Sequence, residues 1–94
     1  MDFVEKFLLN SGIYPTTRGY DYFIMAVHEA ESGEKKMTKI YKKIAEKYGT
    51  NPLCVERAIR LINTKINDSA IQRYMNNSEV IFTLARYKTL SVGN

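Results

Sequence analysis

Residues 36–66, KMTKIYKKIAEKYGTNPLCVERAIRLINTKI, leave this chain little freedom in how it folds, because two helical patterns meet there across a short polar gap. The first pattern starts near Thr38, a predicted N-cap, and places Ile40, Tyr41, Ile44, Ala45 and Tyr48 on one side and lysines on the other. Gly49 follows, where a chain leaving a helix often needs a positive φ that glycine adopts without strain. Thr50 or Asn51 can then cap a second helix, with Pro52 in its first turn, where a missing N–H costs nothing. At 3.6 residues per turn, Val55, Ile59, Ile62 and Ile66 fall within an arc of about 60°, which predicts a buried seam. Leu53, Arg57, Arg60 and Thr64 lie about 140° to 200° from Val55, so the same helix turns two arginines outward. Ala45 is small where the two helices must approach, Gly49 sits four residues later, and Val55 six after that. The pattern is that of a helix-turn-helix over about residues 38–66. The plain alternative is a helical hairpin with solvated lysines.

Similar reasoning divides the flanking sequence. Residues 2–10 read as an amphipathic helix with Phe3, Val4, Phe7 and Leu8 inward, stopped at Gly12. The Ile13 to Thr17 connector holds Pro15, and Thr16 or Thr17 is the expected cap of a helix over 18–32 that buries Tyr20, Phe23, Ile24 and Val27. Beyond the motif, Asn67, Asp68 and Ser69 predict a break and a new cap, residues 70–75 a short helix, and residues 78–87 a last helix with Glu79 near its positive end. Residues 91–94 are expected to fray. The seven tyrosines fall mostly at core spacings, with Tyr14 and Tyr74 the candidates for stacking at an interface.

The 94 residues suit one small domain, 1–94, with one modest core. Hydrophobic content of 45% with 26% charged residues is globular, and the absence of alternating β-branched runs makes the expected fold all-α. The longest apolar run, residues 22–27, is far short of the roughly 20 residues that cross a bilayer, so no membrane association is expected. The N-terminus carries Asp2 and Glu5 and lacks the form of a signal peptide, and the single cysteine, Cys54, fits a reducing compartment. A cytoplasmic location is expected. One histidine and one cysteine cannot assemble the usual zinc ligand sets. Residues 35–60 hold eight basic and two acidic residues, a net +6, against −2 for the remainder. Charge so placed is the footprint of a surface that meets a polyanion.

Four stretches follow one another in a telling order: GIYPTTRGYDYFIMAV at 12–27, KIYKKIAEKYGT at 39–50, VERAIR at 55–60 and NSEVIF at 77–82. Together they resemble the C-terminal DNA-binding effector domain of the stage-zero sporulation response regulator of endospore-forming bacteria. VERAIR just after KYGT, with GYxY upstream, is much more specific than a helix-turn-helix pattern alone. The resemblance implies a compact six-helix domain that binds short DNA boxes through its fourth helix, often as a tandem homodimer on adjacent boxes, and that contacts the RNA polymerase sigma subunit. By matching position it assigns DNA contacts to Arg57 and Glu56, with Arg60 one turn on. Leu53 and Cys54 stand where the family commonly has a polar or basic pair, which puts the preferred box in doubt. The receiver domain that precedes the effector in that family is not among these residues, which fits a stand-alone effector or a piece of a longer protein.

The expected function is sequence-specific binding of double-stranded DNA in transcription regulation, with the helix over residues 51–66 in the major groove. Arginine can make a bidentate contact to guanine O6 and N7. Arg57, Arg60, Glu56 and Leu53 are the expected base contacts, with Glu56 either accepting from cytosine N4 or holding Arg60 as its i,i+4 partner. Lys36, Lys39, Lys42, Lys43, Thr50, Asn51 and Thr64 are the expected phosphate contacts. The alternative is a protein-interaction module that has lost DNA reading, since Leu53 and Cys54 suit a protein partner better than base edges, thymine methyls apart. His28 has no ligand partners nearby in sequence, and Cys54 has no local base to make it a nucleophile. With no paired catalytic carboxylates and no phosphate-cradling loop, neither an enzyme nor a cofactor is expected.

Overall fold

Local sequence accounts for most of the helix ends in the computed structural model, which describes residues 2–70 and 74–92. Among these residues the chain is all-α, with α1 (Phe3–Asn10), α2 (Tyr20–Glu31), α3 (Met37–Tyr48), α4 (Pro52–Ala70) and α5 (Asn77–Val92). Asp2 caps α1, its carboxylate accepting from the Glu5 N–H at 2.9 Å. Asn51 caps α4, its side-chain oxygen accepting from the Cys54 N–H at 2.9 Å. Asn76 and Glu79 cap α5 reciprocally: the Glu79 N–H donates to Asn76 Oδ1 at 2.9 Å and the Asn76 N–H to Glu79 Oε1 at 3.2 Å.

Two expected caps are not used. Thr17 spends its hydroxyl on the Tyr14 N–H at 3.2 Å, inside the connector, and α2 starts instead from Gly19 at φ 87°. Thr38 lies within α3, whose cap position falls on Lys36. The Glu34 carboxylate accepts from the Lys35 and Lys36 N–H groups just before it, and these bonds, that to Lys36 foremost, hold its pKa below the ordinary value.

Helix α2 lies at the centre, touching each of the other four. The core joins Val4 and Leu8 of α1, Ile13 of the connector, Phe23 and Val27 of α2, Ile40 and Ile44 of α3, the four seam residues of α4, and Val80 and Ile81 of α5. Gly19 makes one of these contacts possible. A Cβ built on it would stand 2.9 Å from Ala58 Cβ, so the start of α2 rests on α4 at a distance that only a glycine allows.

The expected six helices are five among the described residues, and the difference lies at 67–76. Asn67, expected to break the helix, continues it and turns its side chain to other use. Its amide donates to the Asn63 carbonyl at 2.9 Å and to the Met75 carbonyl at 3.0 Å, while its oxygen accepts from the Met75 N–H at 2.8 Å. Asn63, fully buried, donates to the same Met75 carbonyl at 2.7 Å. Two side-chain amides, one turn apart, thus satisfy both backbone groups of Met75, and residues 74–76 are not helical. Of the expected short helix, residues 71–73 lie outside the described residues. The last helix extends beyond its expected end, to Val92, and residues 93 and 94 also lie outside.

The core spacing misjudged some of the tyrosines. Tyr20 is buried and the interface candidates Tyr14 and Tyr74 are exposed, but Tyr48 and Tyr87 are exposed as well. Tyr48 instead meets Tyr22 edge to face, with ring centroids 5.1 Å apart.

Candidate nucleic-acid interface

Val55, Ile59, Ile62 and Ile66 are buried to within 1% of complete, as their arc requires. Each aliphatic side chain so covered contributes about 1.5–3 kcal/mol, so α4 has one way to sit. Behind it the turn also takes the expected form: Gly49 has φ 67° and the Thr50 N–H reaches back to the Ala45 carbonyl at 3.0 Å. Ala45, small and buried, lets the helices close.

Fixing the seam fixes the other side. Leu53, Arg57, Arg60 and Thr64 are all exposed. Arg57 makes no ion pair or hydrogen bond among the described residues, so its guanidinium is free to meet a ligand. Arg60 is engaged by Glu56, the guanidinium donating to Oε1 through Nε at 3.0 Å and through Nη2. Glu56 Oε2 is buried and lacks a hydrogen-bond partner among the described residues. The Glu56 carboxylate is therefore placed to steer Arg60, and its second oxygen is covered. Thr64 donates its hydroxyl to the Arg60 carbonyl at 3.0 Å. Of the apolar pair ahead of VERAIR, Leu53 is 55% exposed whereas Cys54 is partly buried, so only the leucine joins this face.

The sequence pattern missed two participants. Leu61 is 64% exposed on the flank of the same face. The signal was present, since an isoleucine-sized residue off the seam has nowhere to go but solvent. Asn77, at the start of α5, donates to the Tyr41 hydroxyl at 3.1 Å and to the Glu56 carbonyl at 3.4 Å, joining α3 to the first turns of α4. No local pattern announces a contact between residues so far apart in the chain. Burial holds the Tyr41 phenol above its ordinary pKa, with the nearby Glu56 charge adding to the rise.

The expected phosphate-contacting lysines do not stand alike. Lys36, Lys39, Lys42 and Lys43 are exposed. Lys43, however, is held by Glu29 of α2 at 2.7 Å, which raises its pKa and turns it toward α2. Lys39, Lys42 and Lys43 line one shallow depression with Glu34 and Glu46, so part of their charge is offset locally. Asn51 is spent as a cap through its oxygen while its amide stays exposed, and Thr50 is half-buried in the turn. No group of residues suited to holding a metal ion occurs among the described residues, and no helix there is long and apolar enough to cross a membrane.

Two helices are thus joined through a left-handed glycine, the second seated on a buried seam and cationic outside. Residues 4–88 match the model of the family described as Sporulation initiation factor Spo0A C terminal, and the chain belongs to that family. It is a family of DNA-binding effector domains of a sporulation transcription regulator, not of enzymes. No curated protein and no solved structure matches the chain.

Proposed function

We infer that this chain binds double-stranded DNA sequence-specifically, laying the outer face of α4 in the major groove, and regulates transcription in the manner of its family. The observation that carries this reading is the unpaired Arg57 on an outward face whose opposite side is locked in the core. Arg57 and Arg60 supply base contacts, with Leu53 beside them. Arg60 is free to leave Glu56, because an exposed i,i+4 pair contributes about 0.5 kcal/mol against about 1–3 for a bidentate guanine contact. Glu56 then either keeps Arg60 aligned or accepts from a cytosine amino group.

Lys36, Lys39 and Lys42, with the Asn51 amide and the Thr50 and Thr64 hydroxyls, contact phosphate. Lys43 contributes least, since Glu29 already neutralises it. The family further supports a second copy on an adjacent box, contact with the RNA polymerase sigma subunit, and work in the cytoplasm. The test is selection from a random DNA pool followed by gel shift. Enrichment of one short box supports the reading, and absence of binding at low salt overturns it.

A second reading, a protein-interaction module, draws on the exposure of Leu53 and Leu61 along one helix. It predicts capture of sigma or of a second copy by this face without DNA. The net +6 of residues 35–60 favours the first reading.

A further inference from the structure

Leucine is an unusual choice for the most forward position of a cationic face. Leu53 stands in the first turn of α4 at 55% exposure, next to the exposed Asn51 and Pro52 and one turn ahead of Arg57. An apolar pocket on a protein partner would have to bury that arginine with it, whereas a DNA groove offers phosphates to the cations and base edges to the rest. Among the base edges of the major groove, only thymine presents an apolar group, its C5 methyl.

We propose that Leu53 reads the 5-methyl group of a thymine, so that the target box carries a thymine close to the guanine contacted by Arg57. Residues four apart on a helix are about 6 Å apart along its axis, and base pairs along a strand are about 3.4 Å apart, so the thymine lies within about two base pairs of that guanine. The proposal rests on the DNA-reading function above and names the base that function needs at one position.

The experiment uses the box selected from the random pool and replaces its thymines one at a time with deoxyuridine, which removes the methyl and leaves every Watson–Crick bond. Affinities are measured by fluorescence anisotropy for the unmodified protein and for Leu53→Ala, whose exposed position leaves folding intact, as a thermal melt verifies. One deoxyuridine position weakens the unmodified protein by about fourfold, the worth of one buried methyl, and leaves Leu53→Ala unaffected. Equal loss in both proteins assigns the methyl to another residue and overturns the proposal, as does indifference to every replacement; in both cases the DNA-reading function stands. If no box is enriched, that function falls first and the thymine contact with it.

Discussion

Arg57 and Lys43 carry the same charge on the same domain, yet the structure gives them different prospects. Arg57 is unengaged, so Arg57→Ala costs about 1–3 kcal/mol on the selected box and relaxes preference there. Equal losses on specific and random DNA would show that it reads no base. Lys43 already faces Glu29, so Lys43→Ala leaves the salt dependence of binding nearly unchanged, whereas Lys42→Ala reduces its slope by about 1. Affinity titrations across a salt series separate the two. Tyr41 and Tyr20 make a prediction about pH. Burial raises both phenols, with Glu56 adding to Tyr41 and Glu5, Asp2 and Asp21 to Tyr20. The folded state thus holds these protons more tightly than the unfolded one. Stability is full below the unfolded value of about 10 and falls as pH rises through and above it. Denaturant melts between pH 8 and 11 will show the fall, and Tyr41→Phe will lessen it.

Among the elements, two contacts decide how the helices sit. Gly19→Ala introduces a side chain at φ 87° and drives its Cβ onto Ala58, which predicts a loss of at least about 1–3 kcal/mol in chemical denaturation. Asn67→Ala strands the Met75 N–H that Asn67 now accepts, at a cost of about 1–3 kcal/mol by the same measurement. These positions also mark the limit of what residue order discloses. The α4 seam, its asparagine cap and the glycine before it were legible because each follows from spacing within one helix. The outward placement of Leu53, Arg57, Arg60 and Thr64 followed from the same wheel. Asn67 was misread because an asparagine that caps and one that grips a distant backbone look identical in sequence, and only the fold brings Met75 within reach. The Arg60–Glu56 pair was foreseen as one of two roles for Glu56, but the Lys43–Glu29 pair was not, since it depends on α2 lying beside α3.

Over the whole molecule, the charge division between residues 35–60 and the rest would govern how it meets DNA at a distance on the proposed reading. With Lys36, Lys39 and Lys42 neutralising phosphates, log K against log salt falls with a slope of about −3, and a flat titration on random DNA would leave those lysines as ordinary solvated charge. On the proposed reading, the selected box gains its preference instead from a handful of side chains on one helix. Because the Ala58–Gly19 seat and the isoleucine seam use only inward positions of α4, those outward side chains can be exchanged as a set without disturbing the scaffold beneath them. A library randomised at 53, 57, 60 and 64 should stay folded in most of its members, making this small domain a chassis on which new addresses in a genome can be written.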